Sequence, residues 1–280
     1  MEVIEQYINS KTGDLADCED AIFFNGNFAA IIDGVTSKSA RRWDGKTSGQ
    51  VATQLALETL PRLAPDVTAP HAFDLLNQAF RALYTKLDLM AELEKNPVER
   101  CAACVLVYSR YYRQLWSVGD CQALVDGRVI SQSKVSDNLL ANVRAFYLET
   151  ELLLGKTVEE LRENDTGRDF IFPLLQRERL FQNNTASPEY GSWVVDGFLD
   201  SARVRVIEVP PQAGVIVLAS DGYPALLPTL DQSEKRLAEI LTRDPLLFRE
   251  FKATKGLKKG QVSFDDRSYL RLRLDDPNRD

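Results

Sequence analysis

The chain has 280 residues, 44% of them hydrophobic and 27% charged, an ordinary balance for a soluble protein with a sizeable core. Its formal net charge of −7 argues against a nucleic-acid backbone or an anionic membrane as the main partner. No run approaches the roughly 18–20 apolar residues of a membrane span. The acidic opening Met1-Glu2-Val3-Ile4-Glu5 has no apolar signal core, so a cytoplasmic protein with reduced thiols is expected.

In chain order, Ala21 to Phe24 and Phe28 to Ile32 flank Asn25-Gly26-Asn27 and read as a β-hairpin, because Asn-Gly tolerates positive φ. Glu19-Asp20 and Asp33 flank it, and antiparallel pairing across a tight turn brings those two ends together. A helix is expected over Ser48 to Leu60. A second follows, where Phe73, Leu76, Phe80, Leu83, Leu87 and Met90 recur at spacings of three and four, from an Ala69-Pro70 start to an Asn96-Pro97 stop. The single histidine, His71, falls in this helix and reads as structural or exposed. Cys101-Ala102-Ala103-Cys104 is formally C-x-x-C, but only Cys18 and Cys121 remain as partners, so the cysteines read as buried small hydrophobes.

A second β region runs from about Cys101 to Ile130, with Asp126-Gly127 as a plain hairpin turn. Residues 135–190 are more polar, partly helical, and read as an insertion beside the sheet. Strands return at Val204 to Val209, Val215 to Ala219 and Ser268 to Leu274, with helices near Gln232 to Leu241 and Pro245 to Phe251, and a charged, frayed tail. Strands and helices come in blocks. An α+β fold with antiparallel sheets, in one domain over residues 1–280, is therefore expected rather than a doubly wound one.

The chemistry lies in short acidic motifs: Cys18-Glu19-Asp20, Asp33-Gly34, Gly119-Asp120, Ser220-Asp221-Gly222 and Asp265-Asp266. Asp33 and Asp221 each end an apolar strand pattern, which puts a carboxylate on a rigid support facing a loop. Each motif alone is more often a turn than a site. If they converge, the carboxylates cannot all stay ionised without cations. Mg²⁺ or Mn²⁺, hard ions that take oxygen ligands, would resolve this, and two such ions activate a water for phosphate-ester hydrolysis.

The ordered motifs resemble those of the protein phosphatase 2C family of metal-dependent Ser/Thr phosphatases, from about residue 11 to 274. Glu19-Asp20-Ala21 is similar to the family's opening E-D-A, and Phe28 to Gly34 to its apolar strand ending in D-G. Ser117 to Ala123 is similar to N-x-G-D-S-R-A, Leu218-Ala219-Ser220-Asp221-Gly222 matches L-A-S-D-G, and Asp265 to Leu270 is similar to the closing strand motif. The resemblance implies a β-sandwich flanked by helices on both faces, with a binuclear Mn²⁺ or Mg²⁺ site at one end. It implies that Asp33 bridges the ions, that the Gly34 carbonyl and Glu19 serve one of them, and that Asp221 and Asp265 serve the other. Asp20 would orient water, Asp120 and Asp221 would hold a weaker third ion, and residues 135–190 would be the variable flap. The implied substrate is phosphoserine or phosphothreonine in proteins, with a Ser/Thr kinase as cognate partner. The alternatives are a small phosphate ester on the same scaffold, or a non-catalytic binding module.

Two departures stand out. Val35-Thr36-Ser37-Lys38 replaces the family's H-G-G or M-G-G after D-G, and no arginine precedes Arg41. Lys11 is then the nearest cation for the phosphate.

Overall fold

A computed structural model describes residues 1–275; the charged tail expected to fray lies largely outside them. Ten strands form two five-stranded antiparallel sheets. They are β1 (Glu2–Asn9), β2 (Asp20–Phe24), β3 (Phe28–Gly34), β4 (Ala103–Ser109), β5 (Gln114–Val118), β6 (Gln122–Val125), β7 (Arg128–Ile130), β8 (Arg205–Glu208), β9 (Val215–Ala219) and β10 (Arg267–Arg273). One sheet has the order β1-β10-β9-β6-β7 and the other β2-β3-β4-β5-β8.

The alternation of side chains along each strand divides the core. On β3 and β4, Ala29, Ile31, Leu106 and Tyr108 point toward the other sheet and meet Ala123, Ile216, Leu218 and Leu270. Their neighbours Phe28, Ala30, Ile32, Val105 and Val107 face outward, against helices α1 (Ser48–Thr59) and α2 (Ala69–Lys86). The far face of the second sheet carries Leu124, Val217 and Tyr269, which pack on Leu237 and Ile240 of α7 (Leu230–Arg243). The fold is α+β, a two-sheet sandwich with helices on both outer faces, as the sequence predicts.

The β2–β3 hairpin forms with Asp20 directly opposite Asp33. Its turn is built differently from the expectation. Neither Asn25 nor Gly26 has positive φ; the Asn25 side chain instead accepts hydrogen bonds from the backbone of Asn27 and Phe28. Asp126-Gly127 does adopt positive φ at both residues, 47° and 75°, and joins β6 to β7.

Two expectations are corrected. The second helix does not run to Asn96: it stops at Lys86, and a short α3 (Met90–Lys95) follows. Asp88 sits at φ 56° between them, a left-handed conformation that aspartate tolerates and a helix interior does not. Pro245 to Phe251 is not helical. There the Asp244 carboxylate accepts from the backbone N–H groups of Phe248, Arg249 and Glu250, which folds the chain into a turn with Leu247 at φ 50°. Strand β1 went unread in the sequence, because its outer edge is polar and its burial incomplete.

Residues 135–178 form α4 (Val135–Leu153), α5 (Val158–Glu163) and α6 (Thr166–Glu178). Arg144 of α4 is wholly buried. It donates to the Asp165 carboxylate at 2.6 and 3.0 Å and to the carbonyls of Leu247 and Ala253 at 3.2 and 2.9 Å. One side chain thus joins the insertion to the irregular segment after α7. No helix among the described residues is long and apolar enough to cross a membrane.

Candidate metal centre

All five acidic motifs lie at one end of the sandwich. Glu19-Asp20 opens β2, Asp33 closes β3, Asp120 sits between β5 and β6, Asp221 follows β9, and Asp265 precedes β10. The junction between β5 and β6 is tight. Gly119 has φ 92°, and a Cβ there would come within 2.3 Å of the Cys104 sulfur, so only glycine lets Asp120 turn into the cleft.

Oxygens of Asp33, Asp120 and Asp221 lie within 4.8 Å of one another. These three carboxylates come from both sheets, and with Asp265 they line a cleft of about 110 Å³. Their charges are unevenly compensated. Asp120 receives Lys134 Nζ at 2.7 Å, and Asp265 is ion-paired with Lys255. No side-chain hydrogen bond or ion pair engages the carboxylates of Asp33 and Asp221 among the described residues.

The protonation balance follows from this. Burial pushes the Asp33 carboxyl well above the carboxylate range, and the charges of Asp20, Asp120 and Asp265 push the same way. Asp221 is raised by desolvation in the cleft and by Asp33, Asp265 and Asp120. Burial would raise Asp120 too, but Lys134 and a hydrogen bond from Cys104 outweigh it and hold that carboxyl low. Clustered oxygens with too few cations are the donor chemistry of a hard divalent metal, so the residues fit the ions that the motifs imply.

Asp20 is buried one layer below. Ser268 Oγ of β10 donates to its Oδ2 at 2.8 Å, a bond that ties one sheet to the other. Burial lifts its pKa to about 8, although the hydroxyls of Ser220 and Ser268 work against the shift.

Glu19 and Lys11 stand apart from the cluster. Glu19 Oε1 accepts from Thr47 Oγ1 at 2.5 Å beside the N-terminus of α1, where the helix dipole favours an anion. Its Oε2 lies 3.4 Å from Lys11 Nζ. Lys11 also pairs with Asp266 at 3.1 Å. Burial alone would lower the lysine's pKa, but Asp265, Glu19 and Asp266 together hold it above the ordinary range. Lys11 is therefore engaged by carboxylates and does not line the acidic cleft. Asp266 accepts from the backbone of Lys11 and Glu19 as well, and so anchors the β2 entry rather than facing the cluster. The Gly34 backbone passes close to Glu19 and Gly49: a Cβ there would meet the Glu19 carbonyl at 2.5 Å and the Gly49 carbonyl at 2.6 Å.

The cations among the carboxylates follow no motif or periodicity in the chain. Lys38, Lys134, Arg179 and Lys255 line the same cleft. Lys38 belongs to the tetrapeptide that departs from the family pattern, and that departure was the one available signal. The cysteines are free, with Cys101, Cys104 and Cys121 buried, and none joins a metal-ligating group among the described residues. His71 is exposed on α2.

Fold and cleft define the class: a two-sheet α+β sandwich with a carboxylate cluster at one end. No protein-family profile matches the sequence, and no curated protein does. Among solved structures, the chain is similar to the catalytic domain of the serine threonine protein phosphatase PstP in complex with 2 manganese ions, at 16% identity and TM-score 0.46, over 98% of this chain and 99% of that one. It is similar to the PPM Ser-Thr phosphatase MsPP from Mycobacterium smegmatis, in complex with cacodylate, at 16% identity and TM-score 0.48, over 98% and 100%. It is also similar to the serine/threonine phosphatase Stp1 from Staphylococcus aureus, at 13% identity and TM-score 0.46, over 98% and 96%. Likeness at this level decides nothing about activity, which has to be argued from the chain's own residues.

Proposed function

We propose that the chain is a metal-dependent phosphatase that hydrolyses phosphate monoesters, with phosphoserine and phosphothreonine in proteins as its substrates. The observation that carries this is the convergence of Asp33, Asp120 and Asp221 within 4.8 Å, from separate motifs whose order along the chain resembles that of the phosphatase 2C family. The proposed ligand set is Asp33, the Gly34 carbonyl, Asp120, Asp221 and Asp265, for two Mn²⁺ or Mg²⁺ ions and a weaker third. Glu19 joins it only by giving up its bonds to Thr47 and Lys11.

When bound, such ions neutralise the clustered carboxylates and acidify water for in-line attack on phosphorus. The protein supplies the rest. Strand ends fix the carboxylates in place before substrate arrives, so little reorganisation is needed during reaction. Ser268 fixes the orientation of Asp20, the carboxyl placed to orient water at the site. The cleft adjoins a second of about 280 Å³ that shares Asp120, Asp221, Asp265, Lys134 and Lys255, which leaves room for a phosphorylated side chain entering from a larger substrate. A Ser/Thr kinase acting on the same proteins is the partner this reading implies.

Purified protein should hydrolyse p-nitrophenyl phosphate and phosphoserine peptides with Mn²⁺ and be silenced by chelation. Calorimetry should show Mn²⁺ binding that Asp33→Asn and Asp221→Asn weaken. Absence of turnover on both substrates, with Mn²⁺ affinity untouched by either substitution, would sink the reading.

A further inference from the structure

The cleft is lined by carboxylates and by cations together. Its carboxylates mostly have a cation or a metal role to account for them. Of its cations, Lys134 has Asp120 and Asp137, and Lys255 has Asp265. Arg179 donates to the Thr36 carbonyl at 3.1 Å and to Gln182 at 2.9 Å. Arg168, just behind, donates to the Thr254 carbonyl at 2.6 Å. Lys38 alone is unaccounted for. No ion pair or side-chain hydrogen bond engages its ammonium among the described residues; only its backbone carbonyl is used, as the acceptor for Gln176.

Its setting makes that unusual. Desolvation in the cleft drives the Lys38 ammonium well below the lysine range, and Arg168, Arg179 and Lys255 push further the same way, with Asp265 opposing. Lys38 is half-buried on the cleft wall, shares it with Arg179 and Lys255 and has no partner of its own, so an anion entering there meets an uncommitted amine. Its position is also imposed, not loose. Arg179 holds the Thr36 carbonyl two residues upstream, and α6 holds the Lys38 carbonyl through Gln176. The loop is thus clamped from the insertion at two points, with the ammonium lining the cleft beside Asp33 and Asp265.

We propose that Lys38 is the phosphoryl-recognition residue of this cleft: it binds the non-bridging oxygens of a phosphate monoester dianion, with Arg179 and Lys255 as further cations of the same lining. This rests on the phosphatase reading for its substrate class, but it needs no turnover to be tested. It assigns to Lys38 the role that Lys11, held by Glu19 and Asp266, does not fill. It also explains the altered tetrapeptide after Asp33-Gly34 as a relocation of phosphate capture to the loop that follows β3. Lysine acts here as a point charge with three rotatable donors rather than as a bidentate fork.

The test is calorimetric titration of inorganic phosphate into the Mn²⁺-loaded protein and, separately, into protein held in chelator. It uses wild type, Lys38→Met and Lys38→Arg, with Mn²⁺ affinity and thermal melting measured on each. Lys38→Met should weaken phosphate by about tenfold or more in both states, Lys38→Arg should restore most of it, and Mn²⁺ affinity should be unchanged. Where p-nitrophenyl phosphate is turned over, the loss should fall in KM and product inhibition more than in kcat. Phosphate affinity unchanged in a folded Lys38→Met protein would overturn the assignment even if the enzyme is active. Lys38-dependent phosphate binding in a protein that hydrolyses nothing would keep the assignment and overturn the phosphatase reading instead.

Discussion

Asp33, Asp120 and Asp221 hang from the ends of buried strands. Lys38, Arg179 and Lys255, which line the same cleft, hang from a loop, from the residue after α6 and from an irregular segment. The first set is positioned by backbone ladders that both sheets share. The second is positioned by single side-chain bonds: Arg179 to Thr36, Gln176 to Lys38, Arg144 to Leu247 and Ala253. The acidic side is therefore rigid by topology, and the basic side is rigid only while a few hydrogen bonds last. Changes to the first should act on metal and chemistry; changes to the second should act on substrate affinity and stability.

The largest effect expected is on the acidic side. Asp33→Asn should lower Mn²⁺-dependent turnover by at least about 10³-fold with little loss of stability, since it removes a carboxylate repelled by its neighbours. Steady-state kinetics together with a denaturant melt checks both halves. If the variant stays active, the carboxylates are a structural cluster and the contrast between the two sides disappears.

On the basic side, Arg144→Met should cost about 3–5 kcal/mol, because it leaves Asp165 buried without its partner. Urea unfolding measures it. In a protein kept folded at low temperature, phosphate affinity should fall while Mn²⁺ affinity does not, because the lost bonds hold the segment that carries Lys255.

A smaller effect concerns pH. Asp20 has a folded pKa of about 8 against an unfolded value near 3.8, so the folded, metal-free protein binds the extra proton between those limits. Its contribution is full below about pH 4 and is lost as pH rises through about 8, on the order of a few kcal/mol. Thermal melts in chelator should decline across that window and flatten when Mn²⁺ is added. A metal-free melt that rose with pH would show that Asp20 is ionised in the fold. The smallest effect is His71→Ala, exposed on α2, which should stay within about 0.5 kcal/mol and leave kinetics unchanged.

The same contrast governs what could be read in the sequence. The Asn25 turn puts Asp20 opposite Asp33 by register, and apolar runs end at Asp33 and Asp221, so those placements follow from local pattern. Lys38, Lys134 and Lys255 belong to no period, and their approach depends on how residues 135–178 fold back over the cleft. Arg144 shows why: its acceptors are 21, 103 and 109 residues away, and nothing in the spacing announces such a bond. The break at Asp88 and the turn at Asp244 were missed for a related reason. A single aspartate side chain or left-handed residue overrode a helical periodicity that was otherwise intact.

The Ser268–Asp20 hydrogen bond has a mechanical meaning. It spans the two sheets beneath the cleft, between residues that are wholly or almost wholly enclosed. Because the carboxylates come from both sheets, shear of one over the other would stretch this bond as it displaced the ligands, so it acts as a gauge of alignment between the two halves of the site. Asp20 can grip Ser268 whether or not it carries a proton, since its Oδ2 accepts in either state. The alignment of the halves is thereby kept independent of the protonation that the site's chemistry changes.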